Sequence, residues 1–165
     1  MLEGIPDPGR VHVRLRLDGL YAQQGETYTS FLRFFPTGEG MAVSVEHELP
    51  LEETVLSVAA WLLPSHPSAS RGPYSVEGNV LSFEATSEAG LVEFLGVIAP
   101  HGMELCLHSH SHINGHRAYR VYRYHPLPAS SHHQRDNAPG QARSNVPPRR
   151  NQDPSRSGPS AAQRE

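Results

Sequence analysis

Residues 104–125 read ELCLHSHSHINGHRAYRVYRYH, and the reading of this stretch decides the fold. Apolar and polar side chains alternate on both sides of Asn114-Gly115, a dipeptide that is the strongest short-range signal for a tight β-hairpin. A two-residue turn between Ile113 and His116 sets His112 opposite Arg117, His110 opposite Tyr119 and His108 opposite Val121. Because successive side chains of a strand point to opposite faces, the residues then sort themselves. Cys106, His108, His110, His112, Arg117, Tyr119, Val121 and Arg123 share one face. Leu105, Leu107, Ser109, Ser111, Ile113, His116, Ala118, Arg120, Tyr122 and Tyr124 share the other. The second set is the more apolar and belongs inside.

Period-two alternation recurs on the N-terminal side of the hairpin. VHVRLRL (11–17) carries Val11, Val13, Leu15 and Leu17 on one side and reads as a half-buried first strand. DGLY follows as a turn, then TYTSFLRFF (27–35), the turn PTGEG, and MAVSVEHEL (41–49). The period changes in LEETVLSVAAWLLP (51–64), where Leu51, Val55, Leu56, Ala59 and Leu62 form a helical stripe. Glu52 and Glu53 suit its first turn, and Pro64 stops it. Short strands return as PYSV, VLSFEAT and LVEFLGVI, separated by EGN, SEAG and APHG. About eight strands joined by tight turns predict an all-β fold, a meander closed to remove its aggregation-prone edges. The expectation is a small antiparallel up-and-down barrel with one short helix, an architecture that resembles the calycins and lipocalins.

Composition divides the chain. Residues 128–165 contain no aromatic residue and a single branched aliphatic, Val146, among Pro, Ser, Gly, Gln and Arg. Such a segment has too little to bury to offset the entropy of ordering, so it predicts a disordered tail. The reading is therefore a lead at 1–10, a barrel at 11–127 and a tail at 128–165. Arginines are outnumbered by acidic residues before 128 and outnumber them after it, within a net charge of -3. An acidic body argues against a nucleic-acid partner. Cys106 is the single cysteine, which excludes an internal disulfide and a multi-thiolate zinc site. Neither a signal peptide nor a membrane-spanning apolar run is visible, so a cytoplasmic location is expected.

The alternate histidines His108, His110 and His112 face outwards on this register, whereas His116 falls on the opposite face. Two histidines at i and i+2 on a strand can share a zinc ion with a third ligand from elsewhere, and a haem is the other metal reading. Glu93 and Glu104 lie on neighbouring predicted strands, although nothing in the sequence brings them together. The cupins' H-x-H strand is followed by a spaced Glu and a distant His, and here only Pro- and Arg-rich coil follows. A solvated structural face with no cofactor asks for the least.

The inner face has its own anomaly, since Ser109, Ser111 and Arg120 sit among Leu and Tyr. A buried guanidinium must be paired. In one reading Arg120-x-Tyr122 holds a carboxylate within a cavity, with Ser109 and Tyr21 contributing. That pair resembles the Arg-x-Tyr of fatty-acid-binding proteins, and guanidinium forks match carboxylates. In the other, an arginine of the last strand, Arg120 or Arg123, stacks on Tyr21 of DGLY. This would resemble the Gly-x-Trp and arginine pair that closes small calycin barrels. The second reading needs no ligand and is the simpler.

FLRFFPTG (31–38) resembles the Tyr-x-Arg-Phe-Phe-Pro-Asp-Gly segment in the C-terminal domain of F-box only protein 9 and its yeast relative. HSHSHI (108–113) is similar to that domain's His-His-Ser-x-His-Ile, and RGPYSVEGNVLSF between them to its Gly-x-Tyr hairpin. The resemblance spans roughly 19–125 and implies a calycin-like β-structure. No F-box segment accompanies it, so ubiquitin-ligase activity does not transfer.

Nothing catalytic stands out: Gly-x-Ser-x-Gly, phosphate-cradling glycine loops and His-Glu-x-x-His are all missing. Cys106 beside His108 reads as a small hydrophobe rather than a nucleophile. The expected function is a non-enzymatic binding module for a small apolar or carboxylate ligand, or for a protein partner. A histidine-ligated zinc or haem barrel is the alternative.

Overall fold

Eight antiparallel strands close on themselves in chain order in a computed structural model that describes residues 13–129. The predicted lead and nearly all of the predicted tail lie outside those residues. The strands are β1 (Gly19–Gln24), β2 (Tyr28–Phe34), β3 (Glu39–Glu46), β4 (Ser70–Glu77), β5 (Val80–Ser87), β6 (Gly90–Ile98), β7 (Glu104–Ser111) and β8 (Arg117–Pro126). One helix, α1 (Leu51–Trp61), joins β3 to β4, and a 3-10 turn (Pro100–Gly102) joins β6 to β7. No helix among the described residues is long and apolar enough to cross a membrane.

The barrel closes where β1 pairs with β8, Tyr21 against Tyr124 and Gly19 against Pro126. A side chain at Gly19 would run into the His125 carbonyl and the Tyr124 ring, so the seam needs glycine there.

The first strand differs from expectation. The described part of VHVRLRL, residues 13–17, is unpaired, and β1 begins inside DGLY. The alternation in 13–17 still reports burial. Leu15 is buried in the barrel core, and Val13 and Leu17 pack against it. The segment lies over one end of the barrel, where alternate side chains point inwards without a ladder.

Two apolar clusters organise the chain. Tyr21, Leu32, Phe34, Phe83, Leu105, Leu107, Tyr122 and Tyr124 belong to the one inside the barrel. The second is outside, where Leu20, Ala22, Phe31 and Met41 meet Val55, Val58 and Leu62 across α1. Leu56, placed on the buried stripe by the sequence, is instead 54% exposed. The buried face runs through Thr54, Val55 and Val58, a rotation that puts Val58 rather than Leu56 against the sheet. Burying Val55, Val58 and Leu62 contributes on the order of 5 kcal/mol as an upper bound.

The hairpin register differs by two residues from the two-residue turn. His110 lies opposite Arg117 and His108 opposite Tyr119. Ser111 N–H donates to His116 O (2.8 Å) and Gly115 N–H to Ser111 O (2.8 Å), which leaves a four-residue loop, 112–115. A mirror-image turn needs positive φ at both central residues, yet here only Gly115 (φ 71°) adopts it. Asn114 instead accepts from His116 N–H (3.0 Å) through its side chain. Neighbour β6 decides the matter, because β7 stays paired with it through Val92–Ser111 and His112 N–H donates to Leu91 O (2.9 Å). A shift of two preserves parity, so the predicted faces survive for the paired residues, whereas Ile113, expected inside, lies in the loop and is half exposed.

Candidate functional site

Side-chain size tapers along the barrel axis, and the taper makes a site. On β2 the inward residues run Phe34, Leu32, Ser30, and they face Gly40, Ala42 and Ser44 of β3. On β7 they run Leu105, Leu107, Ser109, facing Tyr122, Arg120 and Ala118 of β8. Aromatic rings therefore fill the end under Leu15, where Phe34 packs against Tyr21, Tyr74 and Phe83 at 5.1–6.1 Å. Small and hydroxylated side chains leave a cavity of about 230 Å³ at the other end. Ser30, Ser44, Ser109, Ser111, Arg120 and Tyr122 line it, with His116 from the hairpin.

Arg120 is half-buried, and its Nη1 donates to the Ser30 hydroxyl at 3.4 Å. Ser30 in turn shares a hydrogen bond of 2.9 Å with Ser44. Among the described residues no carboxylate pairs with Arg120. Tyr122 is buried beside it. Burial raises its phenol pKa, and the charge of Arg120 partly offsets that rise.

Tyr21 does not belong to this cavity. It sits at the closed end, where its hydroxyl donates to Gly102 O (2.8 Å) and accepts from Arg16 N–H (3.0 Å). The predicted stacking of Arg120 or Arg123 on Tyr21 is therefore absent, and Arg123 instead faces Glu104 outside at 3.4 Å. A cation–aromatic pair does cover the closed end, with the roles exchanged. Arg16, ahead of β1, supplies the cation, and Tyr124, on the last strand, supplies the ring at 5.2 Å. Tyr124 also donates to Asp18 (2.6 Å), which holds that carboxyl below its ordinary pKa. Only a sequence search for aromatic and arginine at both ends of the seam could have found this exchange.

Outside the barrel, the three predicted metal residues separate. His108 leaves the group and packs its ring on Tyr119 at 4.9 Å. His110 and His112 have ring centroids 4.3 Å apart. Glu93 completes the cluster, because β6 sets it directly opposite His110. Its Oε2 lies 2.5 Å from His112 Nε2 and 3.8 Å from His110 Nδ1. The His112 hydrogen bond, helped by the nearby charges, holds the Glu93 carboxyl below its usual pKa. Cys106 faces Val97 and Val121 on the same outer surface, away from this cluster.

Comparison of the chain with protein-family models, with curated proteins and with solved structures finds no match.

Proposed function

We propose that the chain is a calycin-like, non-enzymatic binding barrel whose cavity takes a small carboxylate, with the carboxylate on Arg120. One observation carries the reading: a half-buried guanidinium faces a hydroxyl-lined cavity, held by a long hydrogen bond to Ser30 and by the neighbouring Tyr122 phenol, with no acidic partner among the described residues. Leaving such a charge underpaired costs stability that a bound anion would return. Tyr122, Ser30 and Ser109 line the same cavity and carry hydroxyls able to donate to an anion, and Ala85, Val92 and Phe94 also line it.

The volume narrows the ligand. Drug-sized ligands occupy pockets of roughly 300–1,000 Å³, and this cavity, at about 230 Å³, is smaller. That volume favours a short-chain or single-ring carboxylate over a long fatty acid, and Arg120, Ser30 and Ser44 also line an adjoining depression of about 510 Å³. The resemblance to the F-box only protein 9 domain supports the calycin-like reading and is silent on the ligand.

Thermal unfolding with benzoate, hexanoate and palmitate tests this. Saturation at one hundred times Kd would stabilise the protein by about 2.7 kcal/mol through linkage. The expected result is a rise in Tm with the short acids that disappears in Arg120→Met. No shift with any of them, or an equal shift in the variant, would sink the proposal.

A further inference from the structure

We infer that Glu93, His110 and His112 form a site for one zinc-class divalent ion on the outer surface of the barrel, separate from the cavity ligand. Two independent placements meet there. Cross-strand pairing puts Glu93 opposite His110. The hairpin loop brings back His112, whose backbone is tied to Leu91. The ligand atoms of all three then lie within 4.8 Å of one another.

The spacing suits a metal. Zinc binds nitrogen and carboxylate oxygen at about 2.0–2.2 Å, so tetrahedral ligand atoms end up roughly 3.3 Å apart. Glu93 Oε2 now stands 2.5 Å from one imidazole nitrogen and 3.8 Å from the other, values that bracket this separation. Rotation of exposed side chains is enough to open the shorter contact. The ligand set, two imidazoles and one carboxylate, is of the borderline kind that zinc prefers, and hard cations such as Mg²⁺ do not take it readily.

The surroundings leave coordination room. Glu93 and His110 form one wall of a surface groove of about 530 Å³ that also includes Leu95, His108, Arg117 and Tyr119. A three-ligand site beside a groove keeps a position for water or for an oxygen donor from a partner. Glu84 and Arg117 flank Glu93 and His110 in the same cross-strand row, with opposite charges.

The test is calorimetric titration of the untagged full-length chain with ZnCl2, alongside Glu93→Gln, His112→Gln and His108→Gln. We expect one ion per chain, affinity weakened tenfold or more in the first two variants, and wild-type affinity in His108→Gln. All three positions are partly or fully exposed, and circular dichroism checks that each variant is folded. Co²⁺ provides a second readout, because its visible absorption reports a tetrahedral N/O site in wild type that the Glu93 variant should lose. Zinc bound equally by all four proteins, several ions per chain, or no binding at 100-fold molar excess would each overturn the inference. Arg120→Met should still bind zinc, so the cavity and the metal site fail or stand independently.

Discussion

Tyr21 joins three parts of the barrel's closed end through one phenol. Its hydroxyl holds the segment before β1 through Arg16 N–H and the 3-10 turn through Gly102 O, while its ring packs against Phe34 and Tyr124. Tyr21→Phe would keep the packing and leave a buried carbonyl and an amide short of a partner. The expected cost is about 1–3 kcal/mol, read as a lower urea midpoint at unchanged m. Burial also pushes the Tyr21 pKa up to about 12 from an ordinary value of 10.0. A raised folded pKa means that the native state keeps the proton the unfolded chain releases. The stabilisation is therefore complete below pH 10 and lost as pH rises through 12. The stability gap between wild type and Tyr21→Phe should narrow across that window, and a constant gap would contradict this account.

At the scale of elements, α1 depends on a residue of β2. The helix has no basic residue in its last turn. Arg33 reaches across instead and donates through Nη1 to Ala59 O (3.1 Å) and Leu62 O (3.0 Å). Its guanidinium lies 5.2 Å from the Phe35 ring. Burial lowers its pKa and leaves Nε without a partner, the cost of placing a charge there. This gives FLRFFPTG a structural meaning: Phe31 packs under the helix, Leu32 and Phe34 fill the barrel, and Arg33 ends the helix. Arg33→Met should destabilise by about 1–2 kcal/mol, because two terminal carbonyls lose their donor. Trp61, the single tryptophan, stands at that helix end and provides the measurement. Its emission should shift to the red in the variant, and an unchanged spectrum with unchanged stability would remove Arg33 from this role.

Across the whole molecule, the cavity results from choices that a purely stabilising core would not make. Ser109 and Ser111 continue an inward row begun by Leu105 and Leu107. Ser109→Val should fill part of the void and raise stability by about 0.5–2 kcal/mol in the free protein. The same change should abolish the Tm rise with benzoate. Stabilisation together with an undiminished ligand shift would place the binding site elsewhere.

Alternation and turn chemistry were enough to predict an antiparallel barrel of about eight strands with one helix, because period two and period 3.6 are local properties of the chain. The first strand nevertheless lies at 19–24 and not at 11–17. The same alternation sorted the hairpin faces correctly despite a register off by two, since only odd shifts exchange faces. Residue types also marked Ser109, Ser111 and Arg120 as misfits on an apolar face. The sequence did not show that Leu15 is buried from an unpaired segment, because capping a barrel end and entering its sheet leave the same alternating pattern. Nor did it choose among the arginines: which one meets an aromatic depends on which ends of the seam come together. The departure of His108 and the arrival of Glu93 were decided by a loop whose length is set by pairing with β6. Local periodicity determines which face a side chain takes, but its neighbours on that face come from distant strands, and only the closed barrel brings them together.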